Sequence, residues 1–187
     1  MYTYLPNILT LLRMIAGGVL WYLITIHSVG AALAVLTFGV VTDFYDGYLA
    51  RRYRVETPTG AFLDPLADKI LVLLAFGGLW QQKLVAWWII AVIAGRDLLI
   101  TWLRMWMLHR GTPLKTLWLA KSKTVIQFGA LYLFIIGNAI VYGSLFDLGL
   151  TYKFTVYQGL HYLGMFTAGV TALTGLIYLP QLLRVRR

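Results

Sequence analysis

The chain has 187 residues, 60% of them hydrophobic and only 12% charged, with a mean hydropathy of +0.75. A soluble domain of this size needs more charge to cover its surface. The apolar excess must therefore face lipid, and at about 20 residues per crossing the length allows five or six spans and no second, soluble domain. The formal net charge of +9 does not point to nucleic acid, because most Lys and Arg flank apolar runs, and the lack of cysteine excludes disulfides, iron–sulfur clusters, thiolate zinc sites and a cysteine nucleophile.

Residues 1–10 lack the cationic-then-apolar order and small-residue cleavage site of a signal peptide, so the first apolar run reads as a retained anchor. Apolar runs fall at about 12–27, 31–50, 60–80, 84–108, 123–142 and 154–179. They predict an all-α integral membrane protein of six transmembrane helices, a single domain over residues 1–187. Pro6-Asn7 precedes a stretch, 8–13, that suits either a short N-terminal interfacial helix or the entry to the first span. Breaks are expected at 28–30, 53–59, 81–83, 110–113 and 143–153. Pro58 and Pro113 favour chain reversal, since each disfavours helix at the residue before it.

Six spans put both termini and the second and fourth connections on one side. Twelve of the sixteen Lys and Arg fall on or near that side, among them Arg13, Arg51, Arg52, Arg54, Lys115 and Arg187, whereas the opposite connections offer Lys83 and Lys153. The positive-inside rule places the rich side in the cytoplasm.

Seven residues are acidic, and four of these, Asp43, Asp46, Asp64 and Asp68, border two neighbouring hydrophobic runs. An ionised carboxylate at the bilayer centre costs roughly 2.5–3.5 kcal/mol on insertion scales, less near the interface. Four together need a polar cavity and cations. Asp43 and Asp46 are i, i+3 at the end of the second run, and Asp64 and Asp68 are i, i+4 at the start of the third, so each pair shares a helical face. A short connection lets the two faces meet. Four oxygen donors without His or Cys suit Mg²⁺ or Mn²⁺ better than zinc or copper. The small residues Gly47, Ala50 and Gly60 let a ligand or another helix approach the backbone beside them, and Arg51 adds a fork suited to phosphate.

Together these residues read Asp43-x2-Asp46-Gly47-x2-Ala50-Arg51-x8-Gly60-x3-Asp64-x3-Asp68. The pattern resembles, position for position, the signature of the CDP-alcohol phosphotransferase family, and the six-run layout extends the likeness over nearly the whole chain. The resemblance implies two metal ions held by Asp43, Asp46, Asp64 and Asp68 against a CDP diphosphate. It implies Asp68 as the base for the acceptor hydroxyl, and donor contacts from Gly47, Arg51 and Thr57, with Gly60 leaving room for the nucleotide. The element Pro6-Asn7-Ile8-Leu9-Thr10 is similar to a family segment that closes over the donor headgroup, which adds Asn7 and Thr10. A homodimer is also implied.

Several stretches resemble the bacterial branch whose acceptor is sn-glycerol 3-phosphate and whose donor is CDP-diacylglycerol: Asn7 to Arg13, Thr59 to Lys69, Gly95 to Ile100 and Lys121 to Thr124. Such an acceptor needs a cationic pocket, for which Arg96, Arg104, Lys121 and Lys123 are the candidates. Arg96 and Arg104, near two turns apart, share a face. Asp97 stands where that branch leads one to expect glutamate. Other acceptors within the family remain open, namely phosphatidylglycerol as in a cardiolipin synthase, inositol phosphate, or serine. Outside the family, intramembrane carboxylates also mark divalent-cation transporters, although no inverted repeat is evident.

Plainer roles account for the rest. Arg52, Arg54, Arg184, Arg186 and Arg187 suit topology anchors, and Arg13 could be another. Arg96 could simply pair with Asp97 or, like Arg104, snorkel; Lys121 and Lys123 could anchor a helix start. His27, His109 and His161 have no mutual ligand spacing and read as packing or interfacial residues. The Trp and Tyr residues form aromatic belts, the glycine sets Gly17-Gly18, Gly77-Gly78 and Gly164-Gly169 serve helix packing, and Glu56 and Asp147 are loop charges.

Overall fold

Six helices follow one another along the chain: α1 (Leu5–Thr25), α2 (Val29–Tyr53), α3 (Pro58–Gln81), α4 (Trp87–His109), α5 (Trp118–Val141) and α6 (Leu150–Leu176). The computed structural model describes the backbone of residues 5–53, 58–109, 118–143 and 149–178, and the side chains of 11–43, 45, 69–103, 105–107, 123–143 and 149–178. No strand occurs among the described residues.

The six helices answer to the six apolar runs, with shifted ends. α1 is continuous from Leu5, so residues 8–13 enter the first long helix and form no separate interfacial piece. Pro58 is the first residue of α3, where its missing N–H costs nothing because that donor has no partner inside the helix. α4 begins at Trp87, three residues later than the apolar pattern suggests. Leu84 and Val85 are apolar because they are buried under the α3–α4 turn, and hydropathy alone does not separate a buried turn from a helix.

Two turns end in the same way. His27 closes α1 with φ 57°, its N–H donating to Ile24 O and that of Ser28 to Leu23 O; Lys83 closes α3 with φ 58°, its N–H donating to Trp80 O and that of Leu84 to Leu79 O. Both are Schellman caps carried by a residue other than glycine. Side chains then tie this end of the bundle together. Asn138 donates to Ile24 O at 3.1 Å and its Oδ1 lies 3.3 Å from His27 Nδ1, the His27 ring stacks on Tyr142 at 4.4 Å, Gln82 donates to Thr25 O, and the phenols of Tyr142 and Tyr157 donate to Gln82 O and Lys83 O. The C-terminal ends of α1, α3 and α5 therefore meet the N-terminal ends of α2, α4 and α6.

The core between the helices is aliphatic and aromatic: Leu20 and Ile24, Leu36, Leu71 and Leu79, Ile89 and Ile93, and Leu131, with Phe76 edge-on to Phe134 at 6.0 Å. Among the described residues the most extensive helix contact is α1 on α3. Glycine makes it close: a Cβ at Gly17 would sit 3.1 Å from Leu71 Cα, and one at Gly78 would sit 2.8 Å from Trp21 Cδ1. Gly164 packs in the same way against Ile89, whereas Gly18, Gly77 and Gly169 have open space at that position. One member of each glycine set packs helices. The other does not.

Outward faces are as apolar as the core. Ile15, Val19 and Tyr22 on α1, Leu98, Leu99 and Trp102 on α4, and Phe166 and Leu173 on α6 are all exposed large hydrophobic side chains. A helix apolar all round needs an apolar solvent. Lys123–Val141 is long and apolar enough to cross a membrane by length and composition, and Leu11–Thr25, Val29–Asp43 and Lys69–Gln81 are shorter apolar segments.

Candidate active site

Charge gathers at the end of the bundle opposite the tied turns. Arg13, the only Lys, Arg, Asp or Glu in residues 1–42, is buried within α1 and forms an ion pair with Asp43 of α2, Nη1 to Oδ1 at 3.4 Å. The arginine side chain is 1% exposed and that of Asp43 is 44% exposed. A buried cation thus grips one oxygen of a carboxylate that otherwise stays open. One turn before Asp43, Gly39 brings α2 against α3, where its Cβ would lie 2.5 Å from Leu71 Cδ1. In the backbone of α3, Asp68 and Asp64 precede Leu71 by about one and two turns.

Of the residues expected to form the site, the structure places the side chains of Asp43, Arg96 and Lys123. The backbones of Asn7 and Thr10 lie in α1, those of Asp46, Gly47, Ala50 and Arg51 in α2, of Gly60, Asp64 and Asp68 in α3, of Arg104 in α4 and of Lys121 in α5. Their side chains, and Thr57 altogether, lie outside the described residues, as do Glu56 and Asp147. Among the described residues no three His, Cys, Asp or Glu converge, and Asp43 is the one member of the aspartate set whose side chain is described.

A second charged cluster joins α3, α4, α5 and α6. Asp97 accepts from Arg96 Nη1 at 3.0 Å and from Lys123 Nζ, both through Oδ1. Lys123 is held there against repulsion from Arg96 and Lys69. Lys69 Nζ donates to Thr101 Oγ1, which itself donates to Asp97 O at 2.7 Å. Asp97 and Lys123 are buried, and two cations share this single carboxylate. The Arg96–Asp97 pairing anticipated above is real but incomplete, because Arg96 Nε and Nη2 are buried with no hydrogen-bond partner among the described residues. A buried donor left unmade costs about 1–3 kcal/mol, and more when charged. Below Lys123, Gln127 Nε2 donates to Thr171 Oγ1 at 3.2 Å and extends the polar lining towards α6.

The donor chemistry fits a hard divalent cation. Asp43 presents carboxylate oxygen, half-exposed, with its orientation set by Arg13 and no imidazole or thiolate beside it among the described residues. The second cluster has the opposite character: among the described residues it holds more positive charge than Asp97 balances, with guanidinium donors to spare. It can hold an anion with several acceptor oxygens.

Sequence reasoning singles out none of four residues here as a site residue. Arg13 and Lys69 end stretches that resemble the family, but Arg13 reads as well as a topology anchor, although a lone charge inside an apolar run is itself a signal of function. Thr101 and Tyr178, the latter with its ring centroid 6.0 Å from Arg96 Cζ, carry no pattern that marks them.

Residues 3–171 match the family model described as CDP-alcohol phosphatidyltransferase. A CDP-diacylglycerol–glycerol-3-phosphate 3-phosphatidyltransferase of Pseudomonas fluorescens is 43% identical over 112 residues, 57% of this chain and 57% of that protein. The protein of the same name from Escherichia coli strain K12 is 38% identical over 135 residues, 68% of this chain and 74% of that protein, and the one from Shigella boydii serotype 4 matches to the same extent. The aligned region thus spans little more than half the length of the Pseudomonas relative.

Proposed function

Because the chain belongs to the CDP-alcohol phosphatidyltransferase family, we propose that it transfers a phosphatidyl group from CDP-diacylglycerol to sn-glycerol 3-phosphate, giving phosphatidylglycerophosphate and CMP. The family match, over residues 3–171, makes the chain an enzyme of this type and leaves a cation transporter without support. The acceptor is the open question. The observation that carries the choice is the Arg96–Asp97–Lys123 cluster, where the largely buried Arg96 and the buried Lys123 share one carboxylate oxygen. That balance suits a phosphorylated alcohol and does not suit serine. The names of the three relatives favour glycerol 3-phosphate over inositol phosphate or phosphatidylglycerol.

In this reading Asp43, Asp46, Asp64 and Asp68 would hold two Mg²⁺ or Mn²⁺ ions, which when bound neutralise the diphosphate and stabilise CMP as a leaving group. Arg13 keeps the Asp43 carboxylate oriented. Asn7, Thr10, Gly47, Ala50, Arg51, Thr57 and Gly60 line the donor side, and Arg96, Lys123, Arg104 and Lys121 take the acceptor phosphate. Asp68 accepts the proton of the acceptor hydroxyl as its oxygen bonds to the phosphorus that carries the diacylglycerol, and the bond from that phosphorus to the bridging oxygen breaks. Asp68 and Lys69 are adjacent in α3, which brings the proton acceptor and the anion cluster to one level of the bundle.

The same proposal includes six membrane crossings in one domain, both termini and the site on the cytoplasmic face of a bacterial membrane, and a homodimer. The outward apolar faces and the asymmetry of Lys and Arg support the first two. An acceptor screen tests the whole: purified protein with CDP-diacylglycerol and Mg²⁺ or Mn²⁺ should release CMP with glycerol 3-phosphate and not with serine, and lose that release in Asp68→Asn or in a chelator. Equal turnover of serine would defeat the acceptor assignment, and CMP release that survives Asp68→Asn would remove the base.

A further inference from the structure

We propose that Tyr178, just past the end of α6, is a specificity-determining residue for the acceptor, its phenol donating a hydrogen bond to the same phosphate that Arg96 engages. This rests on reading the Arg96 cluster as the acceptor's phosphate site. Tyr178 lies beyond residue 171, where the family match ends.

The side chain is 1% exposed and its ring is wedged among Ile100, Leu103 and Met107 of α4, with Trp106 alongside. Its backbone is fixed by a hydrogen bond to Gly175 O at 3.2 Å. Gly175 lets this end of α6 close on Arg96, since a Cβ there would lie 3.0 Å from Arg96 Cγ. The guanidinium carbon of Arg96 stands 6.0 Å from the Tyr178 ring centroid, at the limit of a cation–π contact. Yet the phenol oxygen, like Arg96 Nε and Nη2, is buried with no hydrogen-bond partner among the described residues.

Three unmade polar atoms on two side chains whose guanidinium carbon and ring centroid are 6.0 Å apart call for a common partner. All three can donate, and the guanidinium cannot accept. A water offers two lone pairs and two protons that need acceptors of their own. A phosphate offers only lone pairs, and it takes up the positive charge that Asp97 leaves unbalanced. The packing around the ring fixes the phenol without using it. That is the arrangement of a side chain whose hydroxyl is kept for a ligand.

Tyr178→Phe tests this, because it keeps the ring and removes only the oxygen. With the full-length enzyme, KM for glycerol 3-phosphate should rise about tenfold, as for a lost hydrogen bond to a charged group, with the loss carried by KM and not by kcat. KM for CDP-diacylglycerol should hold. Without ligand the variant should melt at or above the wild-type temperature, since the phenol has no hydrogen-bond partner to lose among the described residues. Added glycerol 3-phosphate should raise that temperature less than in wild type. An unchanged KM for glycerol 3-phosphate, a fall in kcat alone, or a lower ligand-free melting temperature would each overturn the role of Tyr178. Arg96→Met separates the two readings: if that change leaves KM for glycerol 3-phosphate as it was, the acceptor site itself is misplaced, whereas a raised KM there with none in Tyr178→Phe removes Tyr178 alone.

Discussion

Lys123 and Arg96 meet on a single atom, Asp97 Oδ1, and so two helices are pinned by one carboxylate oxygen. Asp97→Asn should therefore do more harm than loss of one contact, because it takes from Arg96 and the buried Lys123 the counter-charge they share among the described residues. Breaking a buried ionic group in this way costs about 3–5 kcal/mol. Asp97→Glu keeps the charge and should retain most of both stability and activity. Thermal melting in detergent, read beside CMP release, checks both variants.

Arg13 predicts an effect on metal dependence. Replacing it by methionine removes the buried charge that pairs with Asp43, whose carboxylate is half-exposed and can be solvated once the pair is lost. The carboxylate loses its orientation, however, and partners of this kind are worth roughly 10–100-fold in metal affinity or activity. The half-saturating Mg²⁺ concentration for CMP release should rise by that factor. Arg13→Lys should fall in between, since it keeps the charge and loses the fork.

The α1–α3 contact separates two adjacent glycines. Gly17→Ala places a methyl 3.1 Å from the Leu71 backbone, which cannot move without shifting α3, and should cost about 1–3 kcal/mol. Gly18→Ala meets nothing within 4 Å and should be neutral or mildly stabilising through helix propensity. Equal effects in unfolding measurements would mean that the two helices are not packed this closely.

At the tied end, Lys83 and His27 share a left-handed backbone and differ in what their side chains do. Lys83→Gly should stabilise by about 1 kcal/mol, because it relieves the strain and keeps the carbonyl that Tyr157 uses. His27→Gly relieves the same strain but loses the stack on Tyr142 and the contact with Asn138, and should give no gain. Neither change should alter KM for donor or acceptor.

The helices were legible because each apolar run is long, and the aspartate spacing was legible because carboxylates are rare in such a chain. What escaped was contact between distant segments. Nothing near Arg13 announces Asp43, and nothing near Tyr178 announces Arg96, since hydropathy gives a helix its length but not its neighbour. The sequence shows Lys123 as a basic residue at the start of a helix, but its pairing with Asp97 depends on how α4 and α5 sit side by side. The late start of α4 was hidden by Leu84 and Val85, whose burial under a turn makes them read as helix. The glycine sets were rightly tied to packing, but which glycine of each set does so depends on rotation about the helix axis, which requires the assembled bundle.

Asp68 and Lys69 are consecutive in α3, about 100° apart around its axis. A small turning of that helix would swing the proposed proton acceptor and the lysine beside the Asp97 cluster by the same angle, so under the proposed function neither half of the reaction could be adjusted without disturbing the other. A molecule wedged between α3 and α4 would for this reason block both substrates at once, and a resistance mutation that restored one would be expected to leave the other impaired.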